Sequence, residues 1–377
     1  FNCIITVFTF FLLKTLNLNN GLSFFYSICV AVLTYPTAGT PFSDHHTLIL
    51  CSLALYSFIL AIDKKKNYFW FLIPIFLGFA FLSKQAPTVY VIFLITILSI
   101  IFFFRSKNIS NFLYAFAGVI IILILFFIFL LFGDIKFNDF LIQYFSYPMS
   151  LGGTRFEWLF PFDFKRIIWR YKLQYLSILV LIYLFIKFSL KKESKKFSDY
   201  LIIFSVIIFC VLTIMHQLMT INAIFIYCLI PIFCGLSHIY SEKYLKKSQT
   251  IGNLLIALTL CSTLYYYSQY VKNRTFMDLR DVNLENSIDG KEIHPELSKI
   301  KWITMFYPTK PLREANNIKL VLKMLEEDKN KKMIITDYQF ISVFLKEYDF
   351  SPTRFWYDFH GYPTEKNTYF NYWKEFV

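Results

Sequence analysis

The chain is short of the residues that punctuate or staple a soluble fold. Of its 377 residues only 11 are Gly and 12 are Pro, and no Gly-rich loop joins a strand-like run to a helix-like one. That excludes a P-loop or dinucleotide fingerprint. Seven cysteines are present, none in a Cys-x-x-Cys pair. Cys29, Cys51, Cys210, Cys228, Cys234 and Cys261 sit in or beside apolar runs, and Cys3 lies near the start. This usage argues against a zinc site or a disulfide framework and for small buried apolar residues. Charge is scarce as well: Asp, Glu, Lys and Arg make up 17% of the chain, against about 25% in an ordinary soluble domain.

What remains is apolar. Hydrophobic residues make up 56%, and the mean hydropathy is +0.51, which points to a polytopic membrane protein. The 46 Phe, alongside abundant Ile, Lys and Asn, read as a compositional bias and not as a functional signal. Apolar runs long enough to cross a roughly 30 Å core, some with snorkelling ends, recur over the first 270 residues. They fall near 1–15, 21–38, 46–62, 68–83, 86–104, 110–133, 174–190, 200–216, 220–239 and 250–270.

The net charge of +13 is gathered in short loops between these runs. Lys64-Lys65-Lys66, Arg105/Lys107, Lys191–Lys196 and Lys243/Lys246/Lys247 all fall on one side if the odd spans run inward. That is a positive-inside signature, so the partners implied are membrane lipids and not nucleic acid. The expected location is a plasma (inner) membrane with many passes. The expected fold class is mainly α: about ten transmembrane helices in 1–272, plus a small extracytoplasmic α/β domain over 273–377. Within the latter, Lys301–Phe306 and Met333–Thr336 read as strands, and Glu314–Asp328 and Gln339–Lys346 as helices, an order that suggests parallel pairing. The chain begins at Phe1 without Met, and both ends read as cut.

Thr40-Pro41-Phe42-Ser43-Asp44-His45-His46-Thr47 is a polar cluster between two apolar runs. Ionisable groups at membrane depth are functional candidates. From His45 to Ile62 is roughly 26 Å of helix and from Tyr68 to Lys84 roughly 24 Å. A tight inner loop joins these two spans, so Asp44 and Lys84 are predicted at one level on the outer rim. His216 closes the eighth span at the same level. The connection 134–173 is also predicted outside. Phe137, Phe140, Leu141, Tyr144 and Phe145 follow the spacing of a helix lying in the interface, and Gly152-Gly153-Thr154-Arg155 follows as a flexible turn with one charge. Simpler structural roles stand beside these: Asp44 or Ser43 as a helix cap, Lys84 snorkelling to the interface, and His46 packing locally.

Gly78-Phe79-Ala80-Phe81-Leu82-Ser83-Lys84-Gln85-Ala86-Pro87 resembles the G-x-x-x-L-x-K segment of C-type superfamily (GT-C) membrane glycosyltransferases, such as protein O-mannosyltransferases and aminoarabinose transferases. Pro41–His46 resembles their second acidic motif. The resemblance implies inverting transfer of a sugar from a polyprenyl-phosphate donor to a lipid, glycan or protein acceptor on the extracytoplasmic face. It further implies a leading catalytic carboxylate in a loop ahead of Phe1. On this reading Asp44 and His45 are the catalytic candidates, with Asp44 able to hold a Mg or Mn ion, and His46, Lys84, Arg155 and His216 bind substrate, the cations at donor phosphate. The competing readings are a transporter or flippase for lipid-linked glycans and a membrane scaffold whose outer segment binds glycan.

Overall fold

The computed structural model describes residues 1–39, 41–146, 148–149, 163–191, 197–273, 279, 282–330 and 340–345. The chain divides into two compact units, Phe1–Phe140 with Gly153–Asn273 and Leu141–Gly152 with Arg274–Val377.

The first unit is helical, and each of the ten apolar runs forms a helix: α1 (Asn2–Thr15), α2 (Asn20–Leu33), α3 (Ser43–Lys64), α4 (Asn67–Ser83), α5 (Gln85–Ser106), α6 (Ile109–Phe132), α7 (Lys172–Lys191), α8 (Phe197–Met219), α9 (Leu229–Tyr244) and α10 (Ser248–Tyr267). Among the described residues, eight helical stretches are long and apolar enough to cross a membrane, and α1 and α4 are shorter apolar helices. The protein is therefore a mainly-α, multi-pass membrane protein. An asparagine caps two of the helix starts. The side chain of Asn19 accepts from the Leu22 N–H ahead of α2, and that of Asn108 accepts from the Ser110 N–H ahead of α6. These short side chains satisfy N–H groups that the first turn leaves unpaired.

Burial sorts the helices into a centre and a shell. The stretches Ser43–Lys64 and Ile224–Tyr244 are 94% buried, whereas Ile109–Phe132 is 17% buried. Phe104, Leu131 and Phe132 stand exposed on the outer helices, as expected of side chains that face lipid tails. In lipid, helices are held together by close packing and interhelical hydrogen bonds, since apolar burial gains little there. Such bonds join Thr9 to Tyr56 (2.9 Å), Tyr26 Oη to His238 Nδ1 (3.0 Å), and the Ser237 hydroxyl to the Ser177 carbonyl (2.6 Å). The close packing is clearest between α4 and α6. A Cβ on Gly118 would strike the Phe71 carbonyl oxygen and, at 2.6 Å, Pro74 Cγ; one on Gly78 would strike Ile122 Cγ1. The glycine of the G-x-x-x-L-x-K segment is thus a packing residue. Pro74 lies inside α4, and α6 backs directly onto that site.

The basic loops among the described residues gather at one end of the bundle. There Asp199 at the start of α8 accepts from Lys243 Nζ (2.9 Å) and from the Tyr244 hydroxyl, and the Arg105 guanidinium lies 4.4 Å from the Phe197 ring centre. The other end carries Asp44, Lys84 and His216, in agreement with the helix-length argument.

The second unit contains α11 (Pro311–Glu327), α12 (Ile341–Leu345), β1 (Ile288–Asp289) and β2 (Lys301–Trp302). Ile293, Ala315, Ile318, Leu322 and Ile341 form its core. Glu314 is buried and accepts from Trp302 Nε1 (2.9 Å) and the Thr304 hydroxyl (2.7 Å), which fastens α11 to the segment after β2. The expected α11 is present, but the α/β unit with parallel strands is not found among the described residues. β1 and β2 pair antiparallel over two residues, Ile288 with Trp302 and Asp289 with Lys301. The Lys301–Phe306 strand shrinks to its first two residues because the chain turns before Pro308 towards α11. Met333–Thr336 lies outside the described residues.

Candidate functional site

At the end of the bundle away from the basic loops, three helices bring an acid, an amine and an imidazole together. Asp44 stands in the first turn of α3, where Phe42 occupies the cap position and the side chain that reaches back to its N–H is that of His45. The carboxylate is thus not spent on backbone N–H groups. Lys84 lies between α4 and α5 in extended backbone (φ −164°, ψ 132°). Its N–H closes α4 on the Ala80 carbonyl (3.0 Å), and its carbonyl accepts from the Thr88 hydroxyl (2.8 Å). A chain break held at both sides aims the ammonium back across the bundle. Lys84 Nζ lies 2.7 Å from both Asp44 Oδ1 and Oδ2. His216 in the last turn of α8 places Nε2 3.3 Å from Asp44 Oδ1.

The side chains of Asp44 and Lys84 remain 12% and 23% exposed, and that of His216 3%. The pair therefore sits at a boundary, shielded enough for strong electrostatics and open enough to exchange partners. Beside it is a water-sized cavity lined by Asp44, Leu48, Pro87, Thr213, His216, Gln217, Phe225 and Ile226. The Gln217 side-chain oxygen is buried without a hydrogen-bond partner among the described residues, so a polar group entering there would meet an unused acceptor.

The other predicted residues fall elsewhere. One step along α3 rotates a side chain by about 100°, which carries His45 away from Lys84 and into an aromatic nest. Its ring lies 5.0 Å from that of Tyr35 and 4.8 Å from that of Phe225. Its Nδ1 accepts from the Phe42 N–H (3.3 Å), while Nε2 is buried without a partner. The His46 ring stacks at 4.5 Å on Phe1. Arg155 and the Gly152–Thr154 turn lie outside the described residues. A helix is present at Phe137–Leu141, followed by a π turn over Ile142–Ser146.

Arg166 and Arg170, at the end of the 134–173 connection, have structural roles. Arg166 Nη2 donates to the Leu218 carbonyl (2.8 Å), among the unpaired carbonyls at the end of α8, and Arg170 Nη2 donates to the Ile221 carbonyl (3.4 Å) in the turn that follows. The Tyr171 hydroxyl donates to the Asn222 carbonyl (2.7 Å), and burial pushes its phenol up to about 12. These contacts hold the 218–222 turn, and with it His216, in place. Gln217 and the lining residues Pro87 and Phe225 carry no sequence signal of their own.

For a divalent ion the fit is poor. The ammonium of Lys84 already occupies both oxygens of Asp44, and among the described residues no three His, Cys, Asp or Glu side chains converge in a way that could hold a metal. Compared with protein-family models, curated proteins and solved structures, the chain gives no match.

Proposed function

We propose that the protein is an integral-membrane glycosyltransferase that moves a sugar from a polyprenyl-phosphate donor to an acceptor on the extracytoplasmic face. The observation that carries this reading is the Asp44–Lys84–His216 constellation at the meeting of three spans, together with the motif resemblance of the Pro41–His46 and Gly78–Pro87 segments. At rest Asp44 keeps the half-shielded Lys84 ammonium paired. A donor phosphate brings more charge and more acceptor oxygens than the carboxylate, so it competes for Lys84. In the displacement the acceptor oxygen bonds to the anomeric carbon. The bond from that carbon to the phosphate oxygen breaks, and its electron pair passes to the phosphate. Lys84 then meets charge that grows in the transition state, the arrangement that accelerates a reaction most. Asp44, released from Lys84 and steered by His216, orients the acceptor hydroxyl and takes up its proton as the new bond forms. No step is assigned to a metal ion.

The test is transfer from a panel of polyprenyl-phosphate hexoses and pentoses by membranes carrying each variant. Asp44→Asn keeps size and removes charge; it is expected to lower kcat by about 100-fold, the scale of one oriented polar group. Lys84→Met is expected to raise the apparent KM for donor. A folded Asp44→Asn protein that transfers at the native rate overturns the role given to Asp44. Unchanged donor affinity in Lys84→Met overturns the phosphate clamp.

A further inference from the structure

At the opposite, basic end, an open groove of about 610 Å3 runs between α7 and the α9–α10 turn, lined by Leu179, Val180, Tyr183, Lys187, Tyr244, Leu245, Lys246, Lys247 and Ile251. Its composition is split along its length. Leu179, Tyr183 and Lys187 follow i, i+4, i+8 spacing and so form one stripe on α7, apolar first and cationic at the end. Lys247, at the cap position, and Ile251, in the first turn of α10, pair a cation with an apolar side chain in the same way. The stripe from Leu179 to Lys187 covers about 12 Å along the axis, most of the depth of one leaflet of a roughly 30 Å core. Lys246 and Lys247 are exposed, and neither they nor Lys187 form an ion pair with any described carboxylate. Their neighbour Lys243 differs: it is engaged by Asp199 and lies over the rings of Tyr240 and Tyr244. The charges at the groove mouth are thus left over once the local acid is satisfied.

We propose that this groove is a binding site for an anionic phospholipid of the leaflet that meets the basic loops. Its headgroup phosphate lies among Lys187, Lys246 and Lys247, and one acyl chain lies against Leu179, Val180, Tyr183 and Ile251. An ammonium cluster at the rim above an apolar trough matches the two halves of such a lipid, each at its own depth. A neutral lipid would fill the trough and leave the lysines unanswered. A free anion would answer the lysines and leave the trough empty. A single interfacial lysine raises the affinity for an anionic lipid about fivefold, so three converging lysines are expected to select for headgroup charge as well as for chain. The site lies at the other end of the bundle from Asp44 and does not rest on the transferase reading.

The experiment is native mass spectrometry of the full chain released from nanodiscs that contain phosphatidylcholine and phosphatidylglycerol. The wild-type protein is expected to retain one phosphatidylglycerol in preference to phosphatidylcholine. The triple variant Lys187→Gln, Lys246→Gln, Lys247→Gln should lose that preference by on the order of a hundredfold. Lys107→Gln, in another loop at the same end, is the control for general charge and should retain it. Val180→Trp, which fills the trough and keeps all three lysines, should also lose the bound lipid. The proposal is overturned if the triple variant keeps its phosphatidylglycerol, or if Lys107→Gln loses as much. It is equally overturned if the retained molecule is a polyprenyl phosphate, or if the variants change the oligomeric state and not the lipid count.

Discussion

His216 and Asp44, 172 positions apart in the chain, meet with His216 Nε2 3.3 Å from Asp44 Oδ1, on the carboxylate whose two oxygens Lys84 also holds. The acid is thus shared between the ends of three helices, and removing it leaves two groups without their partner. Asp44→Asn is expected to destabilise the protein in detergent by about 1–3 kcal/mol, less than a fully buried pair because both side chains keep some water contact. In a double-mutant cycle with Lys84→Met, the coupling energy should come out at about 1–3 kcal/mol. Additive losses would show that the pair is not energetically joined.

The contact between α4 and α6 has no room for a side chain. Gly118→Val is expected to lower stability by about 1–3 kcal/mol through overpacking against Phe71 and Pro74. Thermal unfolding of the purified protein reads this directly. A neutral effect would mean that the two helices separate easily at this point.

At the basic end, Asp199 holds α8 to α9 through Lys243 and Tyr244. Asp199→Asn should speed amide exchange in the first turn of α8 and the last turn of α9. It should leave exchange near Asp44 unchanged, since the two sites lie at opposite ends of the bundle. Equal acceleration at both ends would contradict the independence of the two ends.

In the second unit, Glu314→Ala leaves the Trp302 indole N–H and the Thr304 hydroxyl without their acceptor. The expected loss is about 2–3 kcal/mol, seen as faster exchange over Pro311–Glu327 and across the β1–β2 pair. Unchanged protection there would show that Glu314 does not fasten the helix.

The helical plan was legible because the spans are long apolar runs, most of them closed by charged or polar residues or Gly, and because the basic loops fix a common side. The level of Asp44 and Lys84 followed from helix length alone, since a tight turn joins their spans at the other end. Sequence could not show that His216 reaches the same carboxylate, because its approach depends on Arg166, Arg170 and Tyr171 tying down the 218–222 turn. Nor could it show that His45 points away, which is a matter of one residue's rotation on a helix with no polar stripe. The antiparallel pairing of β1 and β2 was missed for a similar reason: two-residue strands leave no alternation to read. The same limit applies to the G-x-x-x-L-x-K glycine, whose tight fit against Ile122 depends on a helix more than forty residues away.

The helix that carries Asp44 is also one of the two that the rest of the bundle encloses, with 94% of its apolar stretch buried. Such a helix owes its surroundings to other segments. In a bilayer, the shell helices can each enter facing lipid on every side, but α3 exchanges lipid for protein around almost its whole girth as the bundle closes. The carboxylate at its tip acquires its ammonium partner in that same closure. Assembly and completion of the acidic site are therefore one event, and a protein halted before α8 joins would have its acid in place without the imidazole that steadies it.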